Sequence, residues 1–159
     1  MGNLEHLKSE GFLRALIENS NEMLTLINEK NEIIYESAAI KSILGFDPEE
    51  KVGQLCFTNT CPEVLDETKS VFKKAIENPD IPISLFSKQY KKNGECVFTE
   101  GTVTNMLNNP NVKAIVCNYR DVTHRINAEN TIRENEEKYR TFFEQAFDGV
   151  FISDKDYNI

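Results

Sequence analysis

Apolar residues recur at helical spacing through the opening stretch LEHLKSEGFLRALIENS, where Leu4, Leu7, Leu13, Leu16 and Ile17 form one stripe. The spacing predicts one or two amphipathic helices, with Gly11 as the break between them. The period then shortens. MLTLIN and EIIYES read as two short strands around EKN, whose Asn and charged residues suit a tight hairpin, and SAAIKSILGF reads as a short helix stopped by Gly45 and Pro48. The stretch from Asp47 to Pro62, punctuated by Pro48, Gly53 and Pro62, reads as short turns.

PEVLDETKSVFKKAIENP carries the strongest helix signals: Pro62 and acidic residues at its start, Pro79 beyond its end, and an apolar stripe of Val64, Leu65, Val71, Phe72, Ala75 and Ile76. Two long strands follow, joined at Asn93-Gly94, and VKAIVCNYR supplies a last strand after the turn NNPN. This order predicts an α+β fold: a five-stranded antiparallel sheet with helices on one face, an N-terminal helix and a C-terminal helical linker. The linker is abrupt, because within IVCNYRDVTHRINAE a β-branched run passes at Asp121 and Thr123 into a charged, helix-compatible pattern with no loop between them.

A chain of 159 residues holds one well-buried domain with a few dozen residues to spare. Sliding the sequence against itself lays LRALIENSNEMLTLINEKNEI, residues 13–33, on YRTFFEQAFDGVFISDKDYNI, residues 139–159, without a gap. Arg14 meets Arg140, Glu18 meets Glu144, and the apolar pairs Leu24/Val150 and Leu26/Ile152 coincide. The expected organisation is an N-terminal helix over 1–11, a folded domain over 12–122, a helical linker over 123–137, and the start of a second copy of the fold over 138–159.

Charge narrows the partners. Eighteen basic residues against 26 acidic give a net charge of −8, which repels nucleic-acid phosphates and anionic lipid surfaces. No stretch approaches the ~18 consecutive apolar residues of a spanning helix, so no membrane contact is expected of this segment. Cys56, Cys61, Cys96 and Cys117 sit in a chain with enough apolar residues for a core, which argues for reduced thiols and the cytoplasm rather than a disulfide scaffold.

The strand order, the phrase RDVTHRINAE and the phrase EEKYRTFFEQAFDGVFISD together resemble the PAS sensory domains of bacterial and archaeal signalling proteins. The resemblance implies a module that binds a small ligand or mediates dimerisation and passes a signal through a helical linker to an output domain in the same chain, such as a histidine kinase. It implies a homodimer, with Asp121 and Thr123 as the signal exit. Those two side chains are expected to accept N–H groups at the helix start. A light, redox or gas sensor with flavin or haem, and a purely dimerising module, are the alternatives.

The cofactor is left open, with flavin and haem disfavoured. Flavin-binding light-oxygen-voltage members resemble this chain in placing a Cys soon after a Gly, as Cys56 follows Gly53, but Leu55, Phe57 and Thr60 replace the polar residues around it. Gln89, Thr99 and Tyr119 stand where the polar edge of the flavin is read, and a ring whose donors and acceptors go unpaired loses affinity. Haem-binding members hold iron through a His on the long helix, and this one has none, His6 and His124 lying elsewhere. Cys56 and Cys61 offer only two thiolates to a metal, so no metal site is assigned. The sequence around His124 lacks the neighbours of a kinase phosphoacceptor, and no catalytic constellation is visible. The candidate ligand-binding residues are Cys56, Gln89, Thr99, Cys117 and Tyr119. A heptad seam of Ala128, Ile132, Asn135, Tyr139, Phe142 and Ala146, with Asn135 as the polar position that sets register, is the candidate dimer contact.

Overall fold

A computed structural model of the chain describes residues 9–146. The elements run α1 (Glu10–Glu18), β1 (Met23–Ile27), β2 (Ile33–Glu36), α2 (Ala39–Leu44), α3 (Pro48–Lys51), α4 (Pro62–Glu77), β3 (Ile83–Tyr90), β4 (Cys96–Met106), β5 (Ala114–Asp121) and α5 (Thr123–Ala146). The chain divides into two units, the first ending at Thr123 and the second beginning at His124. The strand expected over 150–152 lies outside the described residues. Gly11 does not break a helix: the Ser9 hydroxyl accepts the Phe12 N–H at 3.2 Å, which starts α1 at Glu10 and leaves Gly11 in its first turn.

All five strands join one antiparallel sheet in the order β2-β1-β5-β4-β3. Both hairpin turns are built from the residues their backbone demands. Gly94, at φ 88°, turns β3 into β4, while Asn31 takes φ 62° between β1 and β2, where Asn28 Oδ1 accepts the N–H groups of Lys30 and Glu32 at 2.9 and 3.0 Å. One turn of helix, α3, interrupts the segment that the sequence reads as turns only. Asp47 and Glu50 form a capping box around it, with Pro48 at its first position.

Strand alternation sorts the side chains. Met23, Thr25, Ile27, Leu85, Ser87, Val97, Thr99, Val103, Asn105, Ile115 and Cys117 are buried, and every one is an odd-numbered position of β1, β3, β4 or β5. Phe72 and Ala75 of α4 close over Ile27, Leu85, Val103, Ile115 and Cys117, and α2 packs Ile40 and Leu44 with Met23 and Val97. Each such aliphatic or aromatic burial contributes about 1.5–3 kcal/mol. Tyr119 packs against both groups and so spans the core.

β2 departs from the alternation. Thr25 pairs with Glu36 and Leu26 with Tyr35, but Ile27 pairs with Ile33, so Ile34 is an extra residue in the ladder. This bulge leaves Ile34 exposed and turns both Ile33 and Glu36 inward.

β4 and β5 meet most closely at Gly101, which pairs with Tyr119. A Cβ built there would lie 1.9 Å from the Asn118 carbonyl oxygen and 2.6 Å from Tyr119 Cα, both backbone atoms that cannot swing aside. Gly101→Ala therefore forces the strands apart, with an expected cost of about 3 kcal/mol or more in urea unfolding. A loss below about 1 kcal/mol would mean that the sheet yields freely at this point.

Candidate functional site

Between the helices and the inner face of the sheet lies a cavity of about 40 Å³. Its sheet side is formed by Thr25, Ile27, Glu36, Gln89, Cys117 and Tyr119, and its other side by Lys51, Cys56, Phe57, Asn59 and Phe72. The volume admits a few waters or a molecule of a few non-hydrogen atoms.

One side of the cavity is a chain of hydroxyls ending on a carboxyl. Thr25 Oγ1 donates to Glu36 Oε2 at 2.8 Å and lies 3.0 Å from the Tyr119 hydroxyl. Because the Thr25 proton goes to Glu36, Tyr119 donates to Thr25, and the chain runs from Tyr119 through Thr25 to Glu36. Protonation of Glu36 allows every bond in that chain to reverse. The other carboxyl oxygen, Glu36 Oε1, is buried without a partner, although the residue is only 5% exposed. An acceptor left in that condition costs about 1–3 kcal/mol, more when charged.

Burial pushes the Glu36 carboxyl up to about 7, against the opposing pull of the Thr25 hydroxyl, the Ser37 backbone and the Lys51 charge. Lys51 is itself 4% exposed. Its ammonium donates to Gln54 Oε1 and Asn59 Oδ1, each at 2.7 Å, and lies 5.0 Å from the centre of the Phe46 ring. Burial pulls its pKa down, while Glu36 and Glu50 hold it up. A titratable acceptor and a cation thus share one small cavity.

Of the residues proposed from sequence, Cys56, Gln89, Cys117 and Tyr119 line the cavity. Thr99 stands one bond behind, accepting from Gln89 Nε2 at 3.3 Å. Burial pushes the Cys56 thiol up to about 11 and raises those of Cys117 and Tyr119 further, so all three are neutral near pH 7. Sequence reasoning missed Thr25, Glu36 and Lys51. Thr25 was accessible from the β1 alternation, since it shares a face with Met23 and Ile27.

The exit from the sheet is sewn to β4. Asp121 Oδ1 accepts the Thr123 N–H at 2.8 Å, the local bond expected at a helix start. The Thr123 hydroxyl does something else: it accepts the Phe98 N–H at 2.9 Å, while the Phe98 carbonyl accepts from Val122 N at 2.8 Å.

The PAS domain pattern matches residues 21–124, which is most of the chain and every strand of the sheet. This chain belongs to the PAS domain family. Among solved structures it is similar to a PAS domain from Colwellia psychrerythraea, with TM-score 0.61 and 17% identity over 70% of this chain and 96% of that one. It also resembles a sensory box histidine kinase/response regulator from Burkholderia thailandensis, with TM-score 0.62 and 17% identity over 81% and 98% of the two chains. An RNA-binding light-oxygen-voltage receptor matches with TM-score 0.68 and 16% identity, over 86% of this chain but 40% of that one. Comparison with curated protein sequences gives no match.

The residues of this PAS domain do not fit a flavin. A cavity of about 40 Å³ is far below the ~300 Å³ of sites for drug-sized ligands, and the polar side chains are turned to protein partners, Gln89 to Thr99 and Tyr119 to Thr25. No cluster of three or more potential metal ligands occurs among the described residues.

Glu36 sets a pH dependence with a definite sign. Its pKa rises from 4.5 in the unfolded chain to about 7 on folding, so its contribution to stability is full below about 4.5 and is lost as pH rises through about 7. The loss amounts to roughly 3 kcal/mol. Relative to wild type, Glu36→Gln should therefore gain stability between about pH 5 and 7 in urea titrations and level off above that. Parallel stability curves for the two proteins would show that Glu36 titrates normally.

Proposed function

We propose that this PAS domain is a sensor for a small polar ligand, and that the signal leaves through β5 and Thr123 into α5 toward an output domain such as a histidine kinase. The observation that carries the reading is the unpartnered Oε1 of Glu36, a cavity-lining residue, when every other buried side-chain polar atom among the described residues has a partner. A hydroxyl, amide or ammonium donor on the ligand satisfies that oxygen, and Lys51 favours an acceptor nearby. In this reading Cys56, Gln89, Cys117 and Tyr119 form the remaining walls, and Thr99 holds Gln89 in place.

The route outward is short. Gln89 bonds Thr99, and the neighbouring residue of β4, Phe98, donates its N–H to the Thr123 hydroxyl and accepts the Val122 N–H at its carbonyl. Movement of Gln89 or Tyr119 would thereby be felt on β5, from which the linker starts, and on β4, which bonds its first residue. No catalysis is expected of the segment itself, and the self-similarity of residues 13–33 and 139–159 supports reading 138–159 as the start of a second domain of the same kind. No helix among the described residues is long and apolar enough to cross a membrane, and the four cysteines are free thiols, which supports placement in the cytoplasm.

A second reading, association of two copies, is favoured by α5. Ile132, Tyr139 and Phe142 are each more than half exposed and recur at coiled-coil spacing on that helix. The two readings are compatible, since a paired linker is a suitable recipient of strain from β5.

Two experiments test the reading. Nuclear magnetic resonance screening with a library of small alcohols, amides and amines should give shifts concentrated at Thr25, Glu36, Lys51, Gln89 and Tyr119, abolished in Glu36→Leu; hits confined to the outer surface would overturn it. Thr123→Val removes the bond to Phe98 and should cost only about 1 kcal/mol. Amide exchange should then accelerate at Phe98 and in the first turn of α5, with the cavity residues still protected. Unchanged exchange at Phe98 would remove Thr123 from the route.

A further inference from the structure

Two thiols outside the cavity face each other. Cys61 Sγ and Cys96 Sγ lie 3.5 Å apart although the residues are separated by 35 positions in sequence. Cys61 is the residue before α4 and is completely buried; its N–H is fixed by the Lys88 carbonyl at 2.9 Å. Cys96 opens β4 opposite Tyr90 and is partly exposed. The other two cysteines, Cys56 and Cys117, belong to the cavity wall.

We propose that Cys61 and Cys96 are a reversible disulfide site, closed by hydrogen peroxide and reopened by a dithiol. The sulfurs must approach from 3.5 Å to the bonded distance of about 2.05 Å, a change that two side-chain rotations can share. Lys88, held at 2.7 Å by Glu63, pulls against the burial and the Cys96 sulfur that together push the Cys61 thiol up to about 11, so Cys61 stays a thiol until its partner has been oxidised. The roles follow from access. Cys96, the exposed partner, gives its proton to solvent and attacks a peroxide oxygen; the O–O bond breaks, hydroxide leaves and is protonated to water, and Cys96 becomes a sulfenic acid. Cys61 then loses its proton and attacks the Cys96 sulfur, forming the S–S bond and expelling hydroxide, which takes that proton to become a second water. Two thiols are oxidised by two electrons, and one peroxide is reduced to two waters.

The bond would join the start of α4 to the hairpin of β3 and β4. The segment just before Cys61 supplies Asn59 and Thr60 to the cavity, and Tyr90 N donates to the Asn59 carbonyl at 2.8 Å. Oxidation therefore fixes one wall of the cavity against the sheet. The chemistry of the pair does not depend on the ligand reading.

Fully reduced protein should be treated with a few equivalents of hydrogen peroxide, denatured, alkylated and weighed. The expected product is monomeric and lighter by about 2 Da before alkylation, keeps two of its four thiols, and yields a Cys61–Cys96 crosslinked peptide that dithiothreitol releases. Its melting temperature should rise by roughly 5–15 °C. Cys96→Ser, a change at a partly exposed position, should lose the mass change and the thermal shift together, while Cys61→Ser should leave Cys96 as a sulfenic acid captured by dimedone. Four alkylatable thiols after treatment, a crosslink mapping to another pair, or a disulfide between molecules would each overturn the proposal.

Discussion

The structure depends on the insertion of β5 between β1 and β4. The pairs β1/β2 and β3/β4 are joined through short turns and can form from local contacts, but neither pair alone encloses a core. Only when β5 pairs with Met23–Ile27 on one side and Thr99–Met106 on the other does a continuous inner face exist for α2 and α4 to cover. The backbone approach at Gly101 is the geometric sign of how tightly this strand is held. Since β5 runs directly into α5, the element that completes the fold is also the one that leaves it.

That placement explains why the cavity and the exit are close in spite of their separation in sequence. Tyr119 bridges both parts of the core, ends the hydroxyl chain to Glu36, and stands two residues before Asp121. Thr99 pairs with Asp121 across the ladder and holds Gln89 through its hydroxyl. The cavity wall and the Phe98–Thr123 contact therefore share strand β4, which is the connection on which the proposed signal route rests.

The fold was legible because its signals are periodic and local. Asn93-Gly94, Gly45, Pro62 and the odd-position alternation of β3, β4 and β5 each fix an element without reference to the rest, and that alternation also puts Gln89, Thr99, Cys117 and Tyr119 on the inner face. What escaped is what a simple period cannot express. Ile34 and Glu36 lie two apart and should share a face, so an exposed Ile34 implies an exposed Glu36; the bulge cancels the inference by adding one residue to the ladder. Lys51 sits at the end of a single helical turn, too short for periodicity, and a lysine is ordinarily assigned to solvent. The Thr123 hydroxyl is an obvious local cap in sequence, and only the pairing of β4 with β5 presents the Phe98 N–H to it instead.

In the sensor proposed above, Glu36 would also supply the energy scale of the switch. A carboxyl titrating near 7 is divided between two protonation states of nearly equal free energy in neutral solution, so neither direction of the Tyr119–Thr25–Glu36 chain is strongly preferred. One donor from a ligand to Glu36 Oε1 forms a charge-assisted hydrogen bond worth about 1.5–3 kcal/mol to the ionised form. That difference shifts the balance by roughly 10- to 150-fold, which is the usual magnitude of coupling between two sites. A carboxyl fully ionised at the surface would leave a ligand nothing to shift, and one fixed in a complete buried network would resist it. The bulge, by burying Glu36 with one oxygen bonded and one oxygen open, puts the group between those limits.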